Sequence, residues 1–369
     1  MKNVCILGIT GSIGTQAVEV INELDDYQVI SASCNTNYEK LDGFISNLNL
    51  KSVWVKEPSY LEAKYPQVNF YYDVDRLVND KDVDIVINAL VGVAGLKASV
   101  AIIKAKKKLL LANKESLVLA GDIINKLLKE NNVTMLPIDS EHSAIFQCLE
   151  ARCKEDVKEI IITASGGALR DLNRSELKGV KVKEVLDHPT WNMGGKITVD
   201  CATMVNKGFE VIEAHHLFGF DYSQIKTVLH QESAVHGAIM FKDGSVICQA
   251  GPTDMKLPIQ YALTYPKRKP CSVSKSFDLT DTFNLHFSKM DYNRYPMLEL
   301  AYRVAKLGGI MPAVYCASND YAVNKFLKGE IEFLEIENII KDKVEEYEAK
   351  NIANPTLEDI YEVIETINK

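Results

Sequence analysis

The sequence predicts a mixed α/β protein with a parallel sheet at its N-terminal end, a central α+β region and a C-terminal bundle of helices. Three observations lead to this fold class. Short β-branched runs alternate with helical stretches over the first 140 residues, strands cluster in the middle of the chain, and apolar residues recur at helical spacing after Pro296. With 369 residues the chain exceeds what one hydrophobic core usually supports, so more than one domain is expected.

Residues 1–140 are predicted to form the first domain. Strands are expected at six short runs: Val4–Ile9, Val29–Ser33, Ser52–Val55, Asp84–Ala89, Leu109–Ala112 and Thr134–Asp139. Because helical stretches separate these runs, the strands should pair in parallel, with helices on both faces of the sheet. Ligands of such sheets bind beyond the carboxyl ends of the strands, so polar residues that follow a strand are the first candidates for a functional site.

Three further segments are predicted. Residues 141–265 should form an α+β catalytic or connective domain, with a strand at Val157–Ala164 and a hairpin of Ala238–Phe241 and Val246–Ala250. Residues 266–287 lack periodicity, which indicates a linker. Residues 288–369 should form a helical domain, with helices at Leu298–Lys306, Tyr321–Leu327, Ile336–Tyr347 and Leu357–Ile367.

Composition excludes several classes of protein. The net charge of −8 comes from residues 330–369, which hold twelve acidic and four basic side chains. The rest is neutral and lacks the basic field that binds nucleic acid, so no nucleic-acid partner is expected. No run approaches the roughly twenty apolar residues that span a bilayer, so no membrane partner is expected. Eight cysteines without a C-x-x-C pair indicate reduced thiols and, without a signal-peptide pattern, a cytoplasmic location.

A glycine-rich loop follows the first predicted strand. Gly8-Ile9-Thr10-Gly11-Ser12-Ile13-Gly14 leads into an amphipathic helix at Thr15–Leu24. Glycines here allow a tight turn and a close approach of the backbone, and the start of a helix attracts a pyrophosphate. The loop is therefore predicted to bind a dinucleotide in a Rossmann-type domain, with a purely structural turn as the alternative.

The end of the second strand bears on the choice of cofactor. An Asp or Glu at this place binds the ribose 2′-hydroxyl of NAD and repels the 2′-phosphate of NADP. This chain has Asn35, Thr36 and Asn37 instead. NADP is therefore allowed, and Thr36, Asn37 and Lys40 are candidates for binding its additional phosphate.

Two carboxylates flank Ser140 after the last strand of the first domain. If the strand continued, Asp139 and Glu141 would point to one side, where their hard oxygen ligands suit Mg²⁺ or Mn²⁺ rather than zinc. The alternative is a polar strand end that leads into a helix cap. His142 adjoins the pair, but the chain has no G-x-S-x-G motif, so a Ser/His/Asp hydrolase triad is not expected.

Lys114 stands at another predicted junction between a strand and a helix. At this edge of the sheet it is a candidate for binding a hydroxyl or a developing oxyanion. An ordinary surface pair with Glu115 is the alternative.

Glycines bracket Trp191 and Met193 in the stretch His188–Lys196. This pattern is typical of a mobile lid whose apolar residues exclude water from a charged substrate, and a surface loop with one buried tryptophan is the alternative.

Polar residues on both sides of this stretch are candidates for binding a phosphate and a metal. Ser165, Asn206 and Lys207 combine short donors with one cation, which suits a phosphate group. Glu210 and Glu213 lie three residues apart, on one face if helical, where a third metal ligand and a supporting carboxylate are expected.

Four strings occur together in one order: Gly-Ile-Thr-Gly-Ser-Ile-Gly at 8–14, Leu-Ala-Asn-Lys-Glu-Ser at 111–116, Asp-Ser-Glu-His at 139–142 and Met-Val-Asn-Lys-Gly-Phe-Glu at 204–210. Together they strongly resemble the 1-deoxy-D-xylulose 5-phosphate reductoisomerase family over nearly the whole chain. The resemblance implies an NADPH-dependent oxidoreductase and isomerase that makes 2-C-methyl-D-erythritol 4-phosphate for isoprenoid biosynthesis (the MEP pathway). It also implies a homodimer whose small-molecule substrate is a phosphorylated sugar.

Carried over position by position, the resemblance implies roles for individual residues. Asp139, Glu141 and Glu210 would ligate Mg²⁺ or Mn²⁺, and Lys114 would join them as the catalytic group. Substrate contacts are implied for Lys114, Ser140, Glu141, Ser165, His188, Trp191, Cys201, Asn206, Lys207 and Glu210. NADPH contacts are implied for Thr10, Gly11, Ser12, Ile13, Asn113, Glu115 and Gly194. Asn35, Thr36 and Asn37, at the end of the second strand, remain cofactor-binding candidates from the sequence pattern.

Three positions depart from the family's pattern. Thr36 stands where a basic residue is usual, Cys201 where a phosphate-binding serine is usual, and Thr190 where an asparagine is usual. A thiol is a weaker hydrogen-bond donor than a hydroxyl, so we expect altered affinity rather than lost activity.

Two other functions fit part of the sequence. A Rossmann dehydrogenase acting on another small phosphorylated or semialdehyde substrate would share the glycine loop, but it leaves the three carboxylates unexplained. An NADP-binding regulator without turnover would need none of Asp139, Glu141, Glu210 and Lys114, all of which are present.

Overall fold

The computed structural model describes residues 1–191, 193–281 and 284–369. Asn192 of the predicted lid and Thr282 and Phe283 of the predicted linker lie outside the described residues. The chain groups into two compact units. Unit 1 contains residues 1–116, 124–140 and 254–276, and unit 2 contains residues 117–123, 141–253 and 277–369.

The strands of unit 1 are β1 (Lys2–Leu7), β2 (Tyr27–Cys34), β3 (Ser52–Val55), β4 (Asn69–Tyr71), β5 (Ile85–Asn88), β6 (Lys108–Leu111) and β7 (Met135–Pro137). Within the described residues they form one sheet in the order β4-β3-β2-β1-β5-β6-β7, and each pair is parallel. The predicted parallel sheet is confirmed. Its strand order reverses between β1 and β5, which is where sheets of this kind bind their ligands.

Helices α1 (Ser12–Asn22), α2 (Tyr38–Leu48), α3 (Tyr60–Lys64), α4 (Val74–Val78), α5 (Val93–Lys104) and α6 (Glu115–Asn131) connect these strands. Val4 to Leu7 of β1 are fully buried, as expected for a central strand covered on both faces. Helix α1 begins at Ser12, three residues before the predicted start, so the glycine loop is shorter than expected.

Apart from residues 117–123 of α6, unit 2 begins inside α7 (Ser140–Leu149). It continues through β8 (Val157–Ala164), α8 (Val182–Leu186), α9 (Gly195–Ala202), α10 (Val205–Phe218), β9 (Ile225–Leu229), β10 (Val235–Phe241) and β11 (Val246–Ala250). β10 and β11 form the predicted hairpin, and β8 runs antiparallel to β10 and parallel to β9. Ile160 and Ile239 of this sheet share a core with Val211 and Ala214, so the sheet supports α10.

Residues 254–276 return the chain to unit 1 through α11 (Lys256–Thr264), which packs on α1. The side-chain oxygen of Gln16 accepts a hydrogen bond from the backbone N–H of Met255 at 3.1 Å. Nζ of Lys256 lies 2.6 Å from Oε2 of Glu19. A segment distant in sequence therefore supports the helix that follows the glycine loop.

The C-terminal part of unit 2 contains β12 (Ser288–Lys289), α12 (Pro296–Leu307), α13 (Met311–Leu327), α14 (Phe333–Glu348) and α15 (Leu357–Ile367). The predicted helical bundle is confirmed, and Thr356 caps α15 as its sequence indicates. Helix α13 begins ten residues before the predicted start at Tyr321, because residues 311–319 are all buried and show no amphipathic alternation.

Two general expectations concern the whole chain. All eight cysteines lie among the described residues and are free thiols. None of the described helices combines the length and the apolar character that a bilayer crossing requires. The finer division of the chain at residues 140, 265 and 287 stays a prediction.

Candidate active site

The glycine loop lies between the end of β1 and the start of α1. Gly8 has a φ of +86°, a left-handed conformation that side chains rarely adopt. A Cβ on Gly14 would lie 2.3 Å from the carbonyl oxygen of Gly8, so the first turn of α1 packs directly on the loop. No side chain among the described residues caps α1, which leaves the N–H groups of its first turn open to a ligand. This arrangement suits a pyrophosphate.

The residues predicted to contact the 2′-phosphate lie between β2 and α2. The side chains of this short segment are exposed: Asn35, Thr36 and Asn37. Asn37 caps α2 by accepting a hydrogen bond from the backbone N–H of Lys40 at 3.1 Å. Nζ of Lys40 then reaches back to the carbonyl oxygen of Thr10 at 2.9 Å. Lys40 therefore supplies a positive charge beside the glycine loop, whereas Thr36 supplies none.

Asn113 and Glu115 are buried, at 1 % and 8 % exposure. Nδ2 of Asn113 donates to the carbonyl oxygen of Leu90 and to Oε2 of Glu115, both at 2.9 Å. Oε1 of Glu115 accepts from the backbone N–H of Gly92 at 3.3 Å. These two side chains hold the loop that follows β5. Their contact with a cofactor stays a prediction.

Lys114 and Asp139 form a largely buried ion pair in unit 1. Nζ of Lys114 lies 2.8 Å from Oδ2 of Asp139, and the side chains are 10 % and 12 % exposed. They follow the neighbouring strands β6 and β7, so the topology brings them together. Lys114 and Glu115 are both buried, at 8 % exposure, so an ordinary surface pair does not describe Lys114. Strand β7 ends at Pro137, so an alternation along a continued strand does not apply to Asp139.

In unit 2, Lys207 is enclosed by two carboxylates. Its Nζ lies 2.9 Å from Oε1 of Glu141 and also donates to Glu210. Nδ2 of Asn206 donates to Oε1 of Glu210 at 2.6 Å. Burial alone would lower the pKa of Lys207, but the two carboxylates outweigh burial and raise the pKa above its ordinary value. Lys207 is therefore held as a cation between Glu141 and Glu210.

Two more buried side chains support Glu210. Nε2 of His142 lies 2.9 Å from the carbonyl oxygen of Glu210, and Nδ1 lies 3.2 Å from Oε2 of Glu213. Glu210 and Glu213 lie on α10 and are each 1 % exposed, which agrees with their helical spacing. This supporting role of His142 was not predicted, since the residue was weighed only for a hydrolase triad. Its place beside Glu141 in the Asp-Ser-Glu-His string was the available signal for a supporting role.

His188 and Ser165 form a second polar pair in unit 2. Nδ1 of His188 accepts from the backbone N–H groups of Thr190 and Trp191, at 3.2 and 3.1 Å. Nε2 therefore carries the proton and donates to Oγ of Ser165 at 3.1 Å. Burial, and then the positive charge of Arg170, lower the pKa of His188. The imidazole is thus a neutral donor near neutral pH.

The loop of Ser165 lies against the end of α9. A Cβ on Gly167 would lie 2.7 Å from the carbonyl oxygen of Cys201, so the loop and the helix pack without space between them. Gly194 precedes α9 and is exposed, and the half-buried Trp191 lies 6.1 Å from the ring of His236. Helix α10 starts at Val205, and the predicted phosphate donors Asn206 and Lys207 occupy its first turn.

The donor set suits a hard divalent cation. Glu141 and Glu210 already share one cation, the ammonium of Lys207, and Asp139 binds another, that of Lys114. A single residue separates Asp139 from Glu141, so the covalent chain keeps these two carboxylates near each other. Oxygen ligands of this kind fit Mg²⁺ or Mn²⁺.

Family models match three stretches of the chain. The model for 1-deoxy-D-xylulose 5-phosphate reductoisomerase matches residues 4–121, the model for its C-terminal domain matches residues 135–218, and the model for the DXP reductoisomerase C-terminal domain matches residues 250–369. The reductoisomerase of Listeria monocytogenes is 45% identical over 370 residues, which is 98% of this chain and 97% of that protein. That of Bacillus pumilus is 45% identical over 374 residues, with the same coverage of 98% and 97%.

Two solved structures agree. A DOX-P reductoisomerase in complex with NADPH, fosmidomycin and magnesium matches with a TM-score of 0.94 at 34% identity, over 100% of this chain and 97% of that one. The enzyme from Zymomonas mobilis in complex with NADPH matches with a TM-score of 0.90 at 37% identity, over the same 100% and 97%. The chain therefore belongs to the 1-deoxy-D-xylulose 5-phosphate reductoisomerase family.

Proposed function

We propose that this chain converts 1-deoxy-D-xylulose 5-phosphate into 2-C-methyl-D-erythritol 4-phosphate, a step of isoprenoid biosynthesis, with NADPH and Mg²⁺ or Mn²⁺ as cofactors. The observation that carries the proposal is the enclosure of Lys207 by Glu141 and Glu210. Carboxylate oxygens that converge on one cation are the ligands that a hard divalent metal requires. A dehydrogenase or a regulator that merely binds NADP leaves them unexplained.

Asp139, Glu141 and Glu210 would hold the metal. Bound there, it would acidify a substrate hydroxyl and stabilise negative charge on the substrate's oxygen atoms. Lys114 is held by Asp139 with its ammonium at the carboxyl edge of the sheet, where it donates to a substrate oxygen. Ser140 opens α7 between the two ligands and is a further substrate contact.

The phosphate of the substrate would bind to unit 2. Ser165 and the neutral His188 offer O–H and N–H donors, and the first turn of α10 offers Asn206, Lys207 and the positive end of its dipole. Cys201 supplies a weaker donor on α9, and Trp191 would cover the bound sugar and exclude water.

NADPH would bind at the glycine loop of unit 1 and supply the hydride. Thr10, Ser12 and Ile13 would hold its pyrophosphate through backbone N–H groups, whereas the N–H of Gly11 donates to the carbonyl oxygen of Gly8 at 3.0 Å and keeps the loop closed. Gly14 lets the helix lie close to the loop. Asn35 to Asn37 and Lys40 would bind the 2′-phosphate. Gly194 of unit 2 is the remaining proposed contact.

We also propose that the protein is a cytoplasmic homodimer. The family resemblance supports the dimer. The free thiols support a reducing compartment.

The test is oxidation of NADPH by the purified protein with 1-deoxy-D-xylulose 5-phosphate, first with Mg²⁺ and then with a chelator. We expect metal-dependent turnover that Asp139→Asn abolishes and that Asp25→Asn, the same change at an exposed site, leaves intact. Binding of NADPH without turnover would favour the regulator. Turnover of a semialdehyde, with none of the sugar phosphate, would favour the dehydrogenase.

A further inference from the structure

Four polar side chains of unit 2 form a cluster with no role in the proposed reaction: Lys196 and Asp200 of α9, and Asn319 and Asp320 of α13. Asp200 is 3 % exposed. Its Oδ1 accepts from Nδ2 of Asn319 at 2.8 Å, and its Oδ2 accepts from Nζ of Lys196 at 2.8 Å. The same ammonium lies 3.0 Å from Oδ1 of Asp320. Lys196 and Asn319 therefore join α9 to α13 by two separate links.

Lys196 also contacts α10. Its Nζ lies 5.5 Å from the ring centroid of Phe209, within the range of a cation–π interaction. The ring of Phe209 meets that of Tyr315 on α13 edge to face, at 5.8 Å. A Cβ on the neighbouring Gly208 would lie 2.5 Å from Cβ of Ala301, so α10 is packed tightly at this point. The ammonium group of Lys196, which lies on α9, thus contacts residues of both α10 and α13.

Helices α9 and α10 carry the proposed phosphate donors. Cys201 directly follows Asp200, and Asn206 and Lys207 lie in the first turn of α10. Two residues, Thr203 and Met204, separate the helices. Any rotation of α9 would therefore change the distance between Cys201 and the donors on α10.

We infer that Lys196, Asp200, Asn319 and Asp320 are positioning residues, which hold α9 and the start of α10 at the spacing that a bound phosphate requires. None of the four touches the phosphate in this assignment. They act through Cys201, Asn206 and Lys207. The inference rests on the proposed function for the identity of the phosphorylated substrate, but not for the anchoring of α9.

The inference has a kinetic signature. If the cluster is weakened, α9 spends part of its time displaced, and the apparent affinity for phosphate falls by the fraction of molecules that are displaced. Once the substrate is bound, α9 is back in place and the chemical step is unchanged. The Michaelis constant should therefore rise while kcat changes little, whereas general damage to the fold would lower both kcat and stability.

Asp320 is the best residue to change, because its side chain is 20 % exposed and its loss leaves Asp200 paired with Lys196. Asp320→Asn keeps the shape and removes the charge, Asp320→Glu keeps the charge, and Asp342→Asn is the matched change at an exposed site. We expect Asp320→Asn to raise the KM for the sugar phosphate and the inhibition constant of inorganic phosphate about threefold, as displacement of α9 in about two-thirds of the molecules would do. The kcat of Asp320→Asn should stay within about twofold of the parent value. Asp320→Glu should restore the parent KM, and Asp342→Asn should leave KM and kcat unchanged.

Hydrogen exchange of the ligand-free protein gives a readout that does not depend on activity. Amide exchange across residues 195–202 should speed up in Asp320→Asn. Lys196→Gln should also speed up exchange across these residues, and it replaces Asp320→Asn in the test if Asp320→Asn fails to fold. Lys196 is the shared partner of Asp200 and Asp320. The double variant with Lys196→Gln and Asp320→Asn should therefore show the same exchange rates and KM as Lys196→Gln alone.

Unchanged exchange together with an unchanged KM in folded variants would overturn the inference, as would strictly additive effects in the double variant. Faster exchange in a protein whose unmodified form does not turn over the sugar phosphate would support the anchoring and overturn the proposed function instead.

Discussion

Nζ of Lys207 lies 2.9 Å from Oε1 of Glu141, a residue 66 positions earlier in the chain. This pair joins the start of α10 to the first turn of α7, and Glu210 completes it from the next turn of α10. Two buried charged groups, Lys207 and Glu210, and the partly exposed Glu141 thus depend on one another for their charge balance.

Replacement of Lys207 tests that dependence. Lys207→Met leaves Glu141 and Glu210 without their shared cation, and we expect the free energy of unfolding to fall by about 3–5 kcal/mol. Mg²⁺ should return part of this loss, because it supplies the missing charge. Thermal unfolding with and without saturating Mg²⁺ measures both effects. Lys343→Met removes an exposed pair with Glu346 at the same i,i+3 spacing and should cost less than about 1 kcal/mol, with no added response to Mg²⁺. An equal response of both variants would contradict the shared-cation account.

Gly14 is expected to control the affinity for NADPH. Gly14→Ala places a Cβ 2.3 Å from the carbonyl oxygen of Gly8, so the loop must move away from the start of α1. We expect the KM for NADPH to rise at least about tenfold, since the backbone donors no longer converge. Gly43→Ala is the control, because a Cβ there meets no atom within 4 Å and should stabilise α2 slightly. NADPH titrations of the two variants would refute the prediction if they gave the same affinity.

Thr36 is expected to limit the preference for NADPH over NADH. The side chain is exposed beside Asn37, and no charge on it opposes or attracts a 2′-phosphate. Thr36→Arg should lower the KM for NADPH roughly threefold to tenfold at low salt, with NADH unchanged, because the guanidinium pairs with phosphate. Thr36→Glu should shift the preference toward NADH. The ratio of the KM values for NADH and NADPH should shift in opposite directions in the two variants, and added salt should reduce both shifts. Shifts in the same direction would contradict the prediction.

Cys201 is expected to weaken the binding of the sugar phosphate. Cys201→Ser exchanges a weak donor for a stronger one at the end of α9, and the KM for the substrate should fall by a factor of about three. The KM for NADPH and the value of kcat should not change. Steady-state kinetics with each substrate varied in turn separates these effects. A lower affinity for the sugar phosphate in the serine variant would show that Cys201 does not face it.

The stability of the protein should fall in mild acid because of His216. Burial lowers the pKa of His216 to about 4, the charge of Asp122 opposes this effect, and His215 adds to it. The unfolded chain takes up the proton first, near its ordinary pKa of about 6.5, so stability is lost as the pH falls from there toward 4. The loss from this group reaches about 3 kcal/mol.

His216→Phe removes that contribution and should flatten the curve of unfolding free energy against pH over the same window. Denaturant unfolding at several pH values measures the difference between parent and variant. Parallel curves for the parent and His216→Phe would be inconsistent with a buried, neutral His216.

Local patterns predicted much of the fold. The bounds of β8, β11 and α15 are the predicted ones, because strand alternation and the Thr356 cap each depend on a few neighbouring residues. Strand β4 was not predicted, since its three residues are only partly buried and lack a clear pattern. The predicted start of α13 was also wrong. Residues 311–319, which begin this helix, are all buried and so have no polar face that would mark them as helical.

The candidate site, like the fold, was predicted only in part from the sequence. The strings around Lys114 and Asp139 identified those residues as candidates because each lies after a strand that the pattern predicts, and Glu210 was identified by its helical spacing to Glu213. The enclosure of Lys207 and the support from His142 depend on contacts between residues about seventy positions apart. The burial of Asn113 and Glu115 depends on the loop after β5. No local pattern encodes these distances.

The return of residues 254–276 to unit 1 has a consequence for the synthesis of the protein. Helix α11 packs on α1, and a ribosome must have translated 276 of the 369 codons before that segment exists. Until then the side of α1 that carries Gln16 and Glu19 lacks its covering. Unit 1 therefore cannot mature first, as an N-terminal unit usually does, and a nascent chain halted before α11 should present an incomplete unit 1 to chaperones and proteases.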